Sequence, residues 1–107
     1  MSQFAEKIKR HYAGLELGTI PVPEWDVVLH IRPATAGQSA AILEETDQFR
    51  QACKLIQVRA KNADGSPMFD EEDFRAMLTH GEVSVINRVV GEIVGIGDLE
   101  EEDAKKP

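Results

Sequence analysis

Oxygen-bearing side chains gather most suggestively in the stretch from Ala60 to Glu71. Asn62, Asp64, Gly65 and Glu71 fall at the third, fifth, sixth and twelfth positions of a twelve-residue calcium loop. That chemistry needs a carboxylate at the first position, where Ala60 stands, and Pro67 occupies the eighth. A helix stop followed by an N-cap accounts for every residue of the stretch without a metal. His11, His30 and His80 offer imidazoles, but no two have the spacing of a helical metal pair and there is no His-Glu-x-x-His run. His30 alternates with core-facing residues, so it faces solvent or a helix edge. Cys53 is the only cysteine. It has no His at helical spacing to activate it and reads as a small buried hydrophobe. Carboxylates occur at Glu44-Glu45 and in residues 70–73 and 100–103. Paired acids do general acid–base work only in a pocket that separates their pKa values, and these lie at helix ends or in a tail. Gly91, Gly95 and Gly97 have no following helix to complete a phosphate cradle. The residue types therefore assign no catalytic, metal or cofactor-binding residue, and composition and spacing describe an acidic binding or scaffold domain.

A chain of 107 residues is one domain by length and buries roughly two-thirds of its unfolded surface. With 42% hydrophobic but only 6% aromatic residues, its core must be aliphatic. The net charge of -7 argues against a nucleic-acid partner. Lys7, Lys9 and Arg10 form the one basic cluster and read as a solvated helix face. One cysteine allows no internal disulfide. No run approaches the ~20 apolar residues of a membrane span, and no apolar run follows the first basic residues. A cytosol, with no membrane partner, is the expected setting.

The elements follow from periodicity and punctuation. Residues 2–13 predict a peripheral helix with a narrow Phe4, Ile8, Tyr12 stripe and Ser2 as N-cap, a stripe that suits ordering on contact. Gly14 and Gly18 break the chain before two extended arms. Pro21 and Pro23 suit the first arm to a sheet edge. Glu24-Trp25-Asp26 reads as a tight turn, and Val27, Leu29 and Ile31 alternate with Val28, His30 and Arg32 in the second arm. Thr35 and Gln38 form a capping box for a short helix. Thr46 or Asp47 caps the next helix, which runs to about residue 62 with Phe49, Ala52, Cys53, Ile56 and Ala60 on one face. Asp64-Gly65 is a turn, and Asp70 caps a helix burying Phe74, Met77 and Leu78 before Gly81 breaks it. The last helix spans about residues 82–94, with Val85, Ile86, Val89, Val90 and Ile93 on a face wide enough for self-association or for a central core position. Residues 1–97 thus form one domain and residues 98–107 an acidic, disordered tail. The expected fold is α+β and mostly α: a short N-terminal two-stranded feature packed on about four helices, with a peripheral N-terminal helix. The expected partner-binding residues are Trp25 on the arm and Val85, Val89 and Ile93 on the last helix.

The order of these pieces resembles the tail assembly chaperones of long-tailed bacteriophages and prophages. The shared pieces are Val22-Pro23-Glu24-Trp25 at the strand start and a strand ending in Arg32 before a Thr-capped helix. A helix closing in Asp64-Gly65, the segment Pro67-Met68-Phe69-Asp70-Glu71-Glu72-Asp73, and a final apolar helix with an acidic tail complete them. The resemblance covers about residues 20–99. The chain departs from the pattern at Asp26, where a Gly often follows the Trp; that touches turn geometry. The resemblance implies a non-enzymatic protein that keeps the tape-measure protein in solution while tail-tube protein polymerises, and that is absent from the mature virion. In that family a longer, frameshifted product extended at the C-terminus is common, and the acidic tail here would be its natural junction. The alternative is a small structural head–tail or tail-completion subunit retained in the virion.

Overall fold

A computed structural model describes residues 3–15 and 17–105, with side chains as far as residue 96 except residue 13. In chain order the elements are α1 (Gln3–Ala13), β1 (Gly18–Val22), a 3-10 turn (Pro23–Trp25), β2 (Val27–Ile31), α2 (Ala36–Glu44), α3 (Gln48–Arg59), β3 (Ala60–Lys61), α4 (Glu71–His80) and α5 (Val83–Lys105). The fold is α+β and mostly α, with a three-stranded antiparallel sheet in the order β1-β2-β3.

β1 and β2 form a hairpin from Gly18 opposite Ile31 to Val22 opposite Val27. Pro21, which cannot donate to a ladder, sits on the edge strand. The connection is the expected tight turn. Asp26 takes φ 54 and ψ 44, a left-handed conformation that Asp tolerates better than most residues. This is where the resembling family often has Gly. Ile20, Val22, Leu29 and Ile31 point to the core, while Thr19, Pro21 and Val28 point to solvent.

β3 corrects the sequence reading, which carried the helix on to about residue 62. The helix stops at Arg59, and Ala60 turns to extended backbone with φ -79 and ψ 127. Ala60 and Lys61 then pair with Ile31 and His30 of β2. The backbone groups along the free side of β2 need partners once the strand is covered, and these two residues supply them. Ala60 is fully buried. The turn behind it uses Gly65 at φ 89 and an Asp64 carboxylate that accepts from Ser66 N at 2.9 Å and Ser66 Oγ at 2.6 Å.

The core is aliphatic, with Phe74 as its one buried aromatic ring. Cys53 and Ile56 of α3, Phe74 and Met77 of α4, and Val85, Ile86, Val89 and Ile93 of α5 close over the inner face of the sheet. The caps are those the sequence indicates. Thr35 Oγ1 accepts from Gln38 N at 3.2 Å while Thr35 N donates to Gln38 Oε1 at 3.1 Å. Asp47, rather than Thr46, caps α3, accepting from Arg50 N at 3.0 Å. Asp70 and Asp73 cap α4 reciprocally at 2.9 Å. Each such cap stabilises its helix by about 1 kcal/mol.

At the chain ends the picture is mixed. α1 is peripheral as expected, with Phe4 and Ile8 exposed. Its last turn is tied down: Tyr12 donates to Pro33 O at 3.0 Å and lies 6.0 Å under the Arg32 guanidinium. The Ser2 cap lies outside the described residues. α5 continues through Lys105 rather than ending near residue 94, so the expected disordered tail falls largely on helical backbone. Leu, Glu, Ala and Lys in that stretch are good helix formers, and no Pro stands between residues 83 and 105.

Gly81 makes the sharp turn from α4 to α5 possible. Its N–H donates to Met77 O at 3.0 Å, and a Cβ at that position would lie 2.5 Å from Met77 O and 2.7 Å from Ile86 Cδ1. Gly81→Ala should therefore destabilise the fold by about 2 kcal/mol in urea unfolding. Gly91→Ala, on α5 with nothing within 4 Å, should instead stabilise it by about 0.5–1 kcal/mol. Equal effects of the two would contradict the packing described.

Candidate partner-binding groove

The hairpin turn brings Trp25 against the segment that leads into α4. The two rings of Trp25 and Phe69 meet edge to face, with centroids 6.3 Å apart and planes at 88°, an arrangement worth about 0.5–1.5 kcal/mol beyond the area it buries. Between this pair and α4 lies a groove of about 300 Å³. Val27, Ala76 and Met77 continue its apolar lining, and Asp73, His80 and Gly81 complete it. Trp25 is half-buried, so part of the ring remains available to a partner.

One ion pair fixes the turn that carries Trp25. Both Glu24 oxygens accept from Arg88 of α5, at 2.7 Å each. The Arg88 hydrogen bonds are the main reason the Glu24 carboxyl falls from 4.5 to about 2. Two parallel bonds to a planar guanidinium set direction as well as distance, so the hairpin tip is held to α5 in one orientation. A second bridge, Lys54 to Glu71 at 2.9 Å, ties α3 to the start of α4. The Lys54 ammonium also sits 4.3 Å from the Phe74 ring centroid.

The structure brings the four expected partner residues to two different places. Trp25 lines the groove. Val85, Val89 and Ile93 are 5%, 0% and 0% exposed, so the assignment of these three to a partner surface is corrected. The wide apolar face of α5 exists because the helix is central and packs on both β1 and α3. Phe69, Glu24 and Arg88 join the site only in the folded structure. Phe69 had a readable signal, an apolar side chain just ahead of a capped helix. The Glu24–Arg88 pair had none, because it joins residues 64 apart in sequence.

The groups that could have done chemistry are otherwise engaged or dispersed. Asp64 bonds Ser66, and Glu71 bonds Lys54 and Gln57, so the two acids at calcium-loop ligand positions serve different contacts. Burial raises the Cys53 thiol pKa, which disfavours the reactive thiolate. Among the described residues no three His, Cys, Asp or Glu side chains are grouped to hold a metal. Among the same residues no helix is long and apolar enough to cross a membrane. Comparison of the chain with models of known families, with characterised proteins and with solved structures finds no match.

The Glu24 shift predicts a pH signature. A folded-state pKa lowered from 4.5 to about 2 means that the ion pair contributes its full stabilisation above the unfolded value. That contribution is lost as pH falls from 4.5 through about 2. Carboxyl carbon NMR should show Glu24 titrating near 2 in the wild type and returning towards 4.5 in Arg88→Ala. An unchanged midpoint in that variant would remove Arg88 as the cause.

Proposed function

We propose that this chain is a non-enzymatic tail assembly chaperone of a long-tailed phage or prophage, and that the Trp25–Phe69 groove receives an apolar helical segment of the tape-measure protein. The preformed groove carries the reading. Its apolar lining is formed by the seated hairpin tip, whose turn also bonds α5 through Glu24 and Arg88, so little ordering cost attends binding. A helix-in-groove contact suits such a hollow. The order of Val22-Pro23-Glu24-Trp25, Asp64-Gly65 and Pro67-Met68-Phe69-Asp70 along the chain supports the family assignment. The net charge of -7 would keep a chaperone bound to an apolar client in solution. In this reading the protein acts in the bacterial cytoplasm, with tail-tube protein as a further candidate partner, and leaves before the virion matures.

Co-expression with a candidate tape-measure protein, a very long helical product of a neighbouring gene, tests the reading. The tagged chain should retain that protein on an affinity column. Trp25→Ala should weaken retention by about 30-fold, the scale of a buried aromatic hot spot. Ala76→Arg fills the groove from an exposed helix position and should do the same with the melting curve unchanged. Mass spectrometry of purified virions should find the protein missing. No retention by the wild type, or a stoichiometric presence in virions, would overturn the chaperone assignment.

A further inference from the structure

Arg32, Arg59 and Lys61 meet at one end of the sheet without an acid paired to them. Lys61 of β3 stands opposite His30 of β2, and Arg32 follows two residues after His30, so Lys61 and Arg32 leave the sheet on its outer face. Arg59, the last residue of α3, reaches the same place. Its Nη2 donates to Arg32 O at 2.9 Å, and its Nε is buried without a partner. Neighbours hold the Arg32 guanidinium in position. A Cβ at Gly65 would lie 2.7 Å from both of its Nη atoms, and its Cζ is 6.0 Å from the Tyr12 ring centroid. All three cationic residues are half-buried.

On the helices, by contrast, Arg50, Lys54 and Arg88 hold carboxylate oxygens at 3.0, 2.9 and 2.7 Å. Among the described residues no carboxylate forms an ion pair with Arg32, Arg59 or Lys61. Asp64 feels the Arg32 charge, but its Oδ1 accepts both Ser66 bonds and it makes no ion pair. Acids outnumber bases 19 to 12 in the sequence, so the cluster is not short of a partner for want of acids. Burial, and then the Arg32 charge, lower the Lys61 pKa. Charge drawn out of water costs free energy unless an opposite charge compensates it. The donors narrow the choice of anion. Arg32 offers a planar fork and Lys61 a rotatable ammonium, while Arg59 adds charge behind them. A carboxylate brings a single charge, whereas a phosphoryl group brings about −1.5 to −2 at neutral pH and three acceptor oxygens. We propose that Arg32 and Lys61, backed by Arg59, bind a phosphoryl-class oxyanion, either free phosphate or a small phosphate ester, where α1, β2, β3 and the turn at residues 62–66 meet. Through Tyr12 against Arg32, the bound anion ties the end of α1 to β3. The site shares no residue with the Trp25 groove and does not rest on the chaperone reading.

Amide NMR titration of the whole protein, at constant ionic strength, tests the site with inorganic phosphate and with AMP as probes. Phosphate should saturate with a Kd of about 1 mM or tighter and move the resonances of residues 30–32 and 59–66 together. The melting temperature should rise by about 5 °C at roughly ten times that concentration. Arg32→Gln and Lys61→Gln should each weaken binding by at least about 10-fold with circular dichroism unchanged. Lys61→Arg, which keeps the charge, should retain it. AMP bound at least as tightly as phosphate assigns an esterified phosphoryl group, and weaker AMP binding assigns the free ion. No saturation by either anion up to about 20 mM overturns the proposal, as does binding that survives both glutamine variants. A tetraglutamate peptide that saturates the same resonances at lower concentration than phosphate would make this a carboxylate site and overturn the phosphoryl assignment.

Discussion

A hairpin of two five-residue strands does not hold its shape in water, and everything distinctive in this protein depends on how its inner face is covered. Ile20, Val22, Leu29 and Ile31 present four aliphatic side chains on one side of the sheet. α5 and the helices around it bury all four to 3% or less. Burial of apolar area supplies the stability that two short strands lack. Once the hairpin is seated, its tip has a fixed position, and Trp25 has a fixed neighbour in Phe69. The groove is a by-product of that packing, formed where the tip overhangs α4.

Much of this was legible in the sequence because the signals are local. Thr35 with Gln38, Asp47, and Asp70 with Asp73 mark helix starts through side chains that reach only three residues. Pro21 marks an edge strand because it lacks a donor, and Asp26 marks a turn because few residues accept positive φ. The parts that stayed hidden depend on distant partners. Ala60 and Lys61 have no strand pattern of their own and extend because β2 offers a free side. The apolar width of α5 is visible in its residues, but whether Val85, Val89 and Ile93 face a core or a partner depends on what lies across from them. The hydrogen bond from Tyr12 to Pro33, which anchors α1, likewise has no sequence signature.

Charge and apolar surface are distributed in a way that separates possible contacts. The Trp25 groove has an acid and an imidazole in its lining. A hollow where α2, α3 and α5 meet is polar only through the carboxamides of Gln48, Gln51 and Asn87. Arg59 marks another boundary: its Nη2 donates to Arg32 O at 2.9 Å, joining the end of α3 to the end of β2, while its Nε is buried without a partner. Burial also lowers the pKa of Arg59. Its guanidinium is thus committed to joining these two segments.

The Glu24–Arg88 pair also has a meaning in time. A ribosome makes the hairpin early and residue 88 only after 64 further residues have been added. Until then the hairpin tip has nothing to clasp, and the helix that seals its inner face does not yet exist. Contacts that span so much of a chain close late and slowly compared with local ones. The hollow beside Trp25 is therefore not fixed in its final shape until α5 has been made.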